Sequence, residues 1–239
     1  MVRKIEDTCQ LEICCFDLQS ILFAEHAGIQ QVELCIDYGQ GGLWPGEDLV
    51  KEARKVYSGQ LSVMIRPRPG SFTYSQDEVK VMQGQILMAM DLGADGCTFG
   101  ALTADRELDH SVLGQLMEHA ATCTWTFHRS IDLTRDVEQS LDRLATLGIH
   151  RVLTSGGPGR AIDHMERLGD LTRQMRGQLE IVAAGSIRAD HVEALREAGI
   201  QCLHSAASRR EDGQADPAEI RRLKRSWCRS CIEKPADDE

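Results

Sequence analysis

The chain has 239 residues, 42% of them hydrophobic, and a formal net charge of −10. That is enough apolar material for one sizeable core, so a single domain is expected. No run approaches the roughly 18 apolar residues of a membrane span, and the start MVRKIEDTCQ lacks the apolar segment of a signal peptide. The acidic balance opposes binding to nucleic acid or an anionic membrane. Neither is expected as a partner, and the expected compartment is the cytoplasm. The nine cysteines are odd in number and scattered through a chain without an export signal, which predicts reduced thiols and no disulfide framework.

In chain order, the first candidate strand is 11–15, and Asp17 follows as a helix cap before LQSILFAEHA. HAG then leads into a strand at 31–36, and SGQ into one at 61–67. Ser75 with Glu78 three residues on reads as a capping box. LGADG leads into strand 95–99, and the strand at 123–128 is the one whose approach has no glycine. Asp136 caps VEQSLDRLATL, where Val137, Leu141 and Leu144 share a face. LGIH opens strand 150–154 and RGQ opens 179–184; Asp190 is the expected cap of HVEALREA, and AGIQ leads to 201–205. The recurring glycine before each apolar run is the left-handed residue that ends a helix cheaply.

Eight strands alternating with helices predict an α/β chain of the (β/α)8 TIM-barrel class. The alternative is a doubly wound sheet, but no G-x-G-x-x-G follows the first strand. Residues 1–208 are assigned to the barrel and 209–239 to a C-terminal helix and polar tail, with the ending KPADDE expected to be disordered.

In a parallel barrel, function gathers at the C-terminal ends of the strands. Here those ends are polar: Glu12 and Cys14, Glu33 and Cys35, Arg66 and Arg68, His128 and Arg129, Thr154 and Ser155, His204 and Ser205. Period-two alternation puts Glu12 with Cys14 on one face and Leu11, Ile13 and Cys15 on the other. If Leu11, Ile13, Val32 and Leu34 pack beneath the helices, the glutamates and Cys14 and Cys35 point into the barrel. Two thiols on strands about 4.8 Å apart suit a soft ion such as Cu(I); simple packing of two thiols in a barrel layer is the alternative.

Buried carboxylates need partners, and Arg66 and Arg68 on the next strand are the expected ones. The same set suits acid–base work on a small polar substrate, with the two arginines clamping an anionic group. Glycine-rich turns TSGGPGR (154–160) and AAGSIR (183–188) precede helices and offer backbone N–H groups to a phosphate or other anion. His26, His110, His119, His164 and His191 fall on helical text without partners. Cys228-x-x-Cys231 has no second pair to make a metal site.

The strings LEICC, VELCIDYGQGGLWPG, VMIRPRPGSFTYSQDE, ADGCTFGAL, TFHRSID, RVLTSGG and LHSAAS, in this order across about residues 10–208, resemble the CutC family, named as copper homeostasis proteins. The resemblance implies a TIM barrel, a cytoplasmic homodimer or small homo-oligomer, and Cu(I) binding and trafficking through Cys14 and Cys35. It leaves as candidate acid–base groups Glu12, Glu33, His128, Asp132 and His204. Candidate contacts to a small anionic molecule are Arg66, Arg68, Arg129, Thr154, Ser155, Gly156, Gly185 and Ser205. Two loops depart from the family pattern: Pro69 and Ser71 replace a glycine and an acidic residue, and strand seven ends in AAGS with only Gly185 kept. Both loops lie at the barrel mouth, where they bear on which small ligand fits.

Overall fold

The computed structural model describes residues 10–118, 120 and 122–228; Cys9, His119, Cys231 and the 229–239 tail lie outside them. The chain runs β1 (Gln10–Cys15), α1 (Leu18–His26), β2 (Gln31–Leu34), α2 (Glu47–Val56), β3 (Gln60–Met64), α3 (Gln76–Asp91), β4 (Gly96–Phe99) and α4 (His110–Met117). It continues β5 (Thr124–Phe127), α5 (Val137–Leu147), β6 (Arg151–Thr154), α6 (Met165–Gln174), β7 (Glu180–Ala184), α7 (Val192–Glu197), β8 (Cys202–Ser205) and α8 (Pro217–Trp227). The strands pair in sequence order and close into a parallel barrel, β1 meeting both β2 and β8. The fold is the (β/α)8 TIM barrel expected from the sequence. No helix among the described residues is long and apolar enough to cross a membrane.

The main core lies between the barrel and its helices. Leu11, Ile13, Cys15, Val32, Leu34, Leu61, Val63 and Leu203 all belong to it and are at most 7% exposed. Burying each such aliphatic side chain contributes about 1.5–3 kcal/mol, which fixes the opposite parity of every strand inside the barrel. That inner parity forms two small apolar clusters, Cys14 with Cys35 and Met64, and Leu153 with Val182, Ala184 and Cys202. The remaining inner positions are polar except Gly96.

Asp17, Ser75 with Glu78, and Asp136 cap their helices as expected. Asp190 does not: a short 3-10 turn over Ala189–His191 precedes α7, and the Asp190 carboxylate pairs with Arg222 of α8 at 2.5 Å. Five of the six join glycines (Gly28, Gly93, Gly148, Gly177, Gly199) have positive φ. Gly59 is needed for space instead, since a Cβ there would come within 2.7 Å of the Gln30 carbonyl. The helix beyond residue 208 closes the shell as α8, with Trp227 buried and its indole N–H donating to the Gln10 carbonyl at 2.9 Å.

Candidate metal centre at the barrel mouth

The inner faces of β1, β2 and β8 converge on one cluster. The Cys14 thiol donates to Glu33 Oε2 at 3.2 Å, and the Cys35 sulfur lies 3.4 Å from it. The His204 imidazole spans the two glutamates, with Nδ1 2.7 Å from Glu12 Oε1 and Nε2 3.7 Å from Glu33 Oε2. Ligand atoms of Cys14, Glu33 and His204 all fall within 4.8 Å of one another, a spacing that one metal ion can bridge. Cys15 faces the helical layer, as alternation required, so the adjacent cysteines of LEICC are not a chelating pair.

The glutamates do not find Arg66 and Arg68, which corrects the expected pairing. Glu12 pairs instead with Arg151, at the start of β6 on the same inner parity, with Nη1 2.6 Å from Glu12 Oε2. Arg151 also reaches Glu180 at 2.6 Å. Burial alone would raise the Glu12 pKa, but the Arg151 charge and the His204 hydrogen bond hold it down at about 2. Burial likewise disfavours an imidazolium at His204, yet the Cys14, Glu12 and Glu33 groups around the ring hold its pKa well above the ordinary value. The hydrogen bond shared with Cys35 and burial push Cys14 up, and burial pushes Cys35 up to about 11.

The two arginines are held by the loops around them instead. Arg66 donates to the carbonyls of Gln40, Gly42 and Gly70 at 2.6, 3.1 and 3.1 Å. Arg68 bonds Glu78 of the α3 capping box and the carbonyls of Ser71 and Thr73, so it braces the loop and faces solvent. His128 is buried among Phe72 and Phe127 on the Arg66 side, away from Glu12. Burial and the nearby Arg66 charge hold its pKa down at about 3, so its ring is neutral.

The glycine-rich turn after β6 does not present an open anion cradle, because the chain fills it with its own carboxylate. Asp132 accepts from the Ser155 N–H at 3.1 Å and the Ser155 hydroxyl at 2.7 Å, and from the Thr154 hydroxyl. The Gly156 N–H donates to Thr154 Oγ1 at 2.9 Å. Arg129 locks the arrangement from outside, bonding Asp132, Ser155 and the Gly159 carbonyl. A Cβ at Gly185 would come within 3.3 Å of the Arg129 guanidinium carbon, so glycine there makes room for it. Ser205 is likewise used internally, donating to the Ile187 carbonyl at 2.7 Å. His164 and His191, expected to lack partners, each bond local backbone groups.

The sequence reading missed Arg151, Glu180 and Tyr74. Arg151 was detectable in principle: it shares parity with Leu153 in the run RVLT, so a strand that buries Val152 against the helices must point Arg151 into the barrel.

A parallel (β/α)8 barrel with thiols, an imidazole and carboxylates gathered at the carboxyl ends of its strands is a barrel with a candidate metal-binding mouth. The sequence profile of the CutC family matches residues 9–209, and the chain belongs to that family. It is 38% identical over 200 residues to a CutC family protein of Bacteroides thetaiotaomicron, covering 83% of this chain and 80% of that one. It is 36% identical over 188 residues to one from Glaesserella parasuis, covering 79% and 77%. The structure of the proposed copper homeostasis protein CutC from Streptococcus agalactiae superposes with a TM-score of 0.79 at 28% identity, over 83% of this chain and 98% of that one.

Proposed function

We propose that the protein is a cytoplasmic Cu(I) binder and carrier that holds the ion between Cys14, Cys35 and His204. The observation that carries this reading is the 3.4 Å separation of two buried sulfurs beside an imidazole whose other nitrogen is bound by Glu12. Metal–thiolate bonds of about 2.3 Å reach across any sulfur gap under about 4.6 Å, so one ion can take both thiols. Two sulfurs and an imidazole form a soft donor set suited to Cu(I). Glu12 supplies the outer-shell carboxylate that metal-binding histidines usually have, fixing the ring so that Nε2 faces Cys14 and Glu33. The name of the Streptococcus agalactiae relative points to the same ion.

The test is anaerobic titration of the metal-free protein with Cu(I), and separately with Zn(II), against a competing chelator. Cys14→Ser with Cys35→Ser is expected to lose Cu(I) affinity by at least about a hundredfold, the cost of about 3 kcal/mol of ligation. Cys15→Ser should leave it near the parent value. Equal affinity in the double variant overturns the proposal. Glu33 is the one hard ligand in the group, so a clear preference for zinc in the same experiment would assign the site to that ion instead.

A further inference from the structure

Arg66 presents an electrostatic problem that the metal centre does not solve. Its side chain is 5% exposed, and no carboxylate among the described residues lies within ion-pair distance of it. Asp37 acts on it only from farther away. A buried charge is ordinarily paired, because removing it from water costs several kcal/mol. Three carbonyls take part of its hydrogen-bonding capacity, but its Nε–H has no partner.

Two further unpartnered polar groups lie nearby. His128, 5% exposed, accepts at Nδ1 from the Ser130 N–H at 3.3 Å, so the proton of its neutral ring sits on Nε2, which bonds nothing. The Tyr74 hydroxyl, 8% exposed, has no partner at full hydrogen-bond geometry, although it lies close enough to Arg66 to interact with its guanidinium and to feel the Arg68 charge. Burial pushes it up to about 12, so it remains a donor. Phe72 joins the set, with its ring 4.7 Å from the Arg66 guanidinium carbon and 4.7 Å from the His128 ring. Gly100 lets the imidazole approach the backbone, since a Cβ there would stand 2.5 Å from His128 Cε1.

We propose that Arg66, His128 and Tyr74 form a binding site for a small carboxylate, beside the thiol cluster and separate from it. The class follows from charge and donor type. Arg66 supplies one positive charge and the other two donors are neutral, which balances one negative charge and leaves a dianionic phosphate undercompensated. The loop carrying Pro69, Gly70 and Ser71 is exposed and covers Arg66 through the Gly70 carbonyl. A carboxylate that displaces this carbonyl exchanges a neutral acceptor for an anionic one and supplies the counter-charge that the buried guanidinium lacks.

The site does not depend on copper, and its test uses the metal-free protein. Acetate and inorganic phosphate are titrated at fixed ionic strength and pH 7, reading the His128 ring resonances by NMR and the thermal midpoint. Acetate is expected to shift the His128 signals saturably, raise the midpoint, and bind more tightly than phosphate. Arg66→Lys keeps the charge but loses the Nε–H, and should weaken acetate at least tenfold; His128→Gln should weaken the midpoint response similarly, which covers the case that Arg66→Lys does not fold. Arg68→Gln should leave acetate affinity within about twofold, since its half-buried guanidinium is taken up by Glu78 and the Ser71 and Thr73 carbonyls. No saturation with either anion, or unchanged acetate binding in both variants, overturns the site. Tighter phosphate than acetate overturns the carboxylate assignment.

Discussion

The two sides of the barrel mouth treat buried charge in opposite ways. On the side built from β6, β7, β8, β1 and β2, three carboxylates (Glu12, Glu33, Glu180) face one guanidinium (Arg151) and one imidazole (His204), and two thiols complete the group. On the side built from the end of β3 and the end of β5, Arg66 and a neutral His128 have no carboxylate within ion-pair distance among the described residues. The first side is short of positive charge and suits a cation. The second is short of negative charge and suits an anion. A mouth that merely filled space would not need either imbalance, since apolar side chains of equal volume pack at lower cost.

The largest effect should come from removing the cation that the acidic side already has. Arg151→Met strands Glu12 and Glu180 without their partner and should destabilise the fold by about 3–5 kcal/mol, read from the urea midpoint. A change under about 1 kcal/mol would show that the acidic side holds its carboxylates some other way.

The second prediction concerns the basic side and pH. His128 titrates near 3 in the folded protein against 6.5 for the ordinary imidazole, so between these values the unfolded chain binds the extra proton. The stability this group contributes is complete above about 6.5 and drains away as pH falls toward 3, at about 1 kcal/mol per unit. His128→Gln should flatten that part of the profile, and a parallel loss in parent and variant would place the acid sensitivity elsewhere.

A smaller change sharpens the role of the carboxylate behind the imidazole. Glu12→Gln keeps the shape but weakens the hold on His204 Nδ1, and should reduce Cu(I) affinity about 10- to 100-fold in the chelator competition. Least of all should follow from Arg68→Gln, whose partly exposed pair with Glu78 is worth under about 1 kcal/mol in thermal unfolding. A larger loss would draw Arg68, whose guanidinium lies 5.1 Å from the Tyr74 ring, into the working part of the basic side.

Much of this architecture was legible in the linear text. The helix caps at Asp17, Ser75 and Asp136, the glycine joins and the eight apolar runs are local signals, and each sits where its own few residues require. The parity of LEICC was legible too, because a strand shows its two faces two residues apart. The partners were not. Arg66 and Arg68 were near in sequence and of the right charge, while Arg151 lies 139 positions from Glu12. Asp132, a candidate acid–base group from the sequence, is the carboxylate that fills the glycine-rich turn after β6.

The sequence by itself determined the barrel and which face of each strand looks inward, because propensity, capping and hydrophobic period act over a few residues. Only the closed barrel decided which inward groups meet. Closure sets β8 beside β1 and brings β6 across the interior, so that Arg151 and His204 rather than the arginines of RPRPG neutralise Glu12. It also leaves Arg66 without a counter-charge, for the same reason: burial forces every charge to be settled by whatever side chains the fold places within a few ångströms.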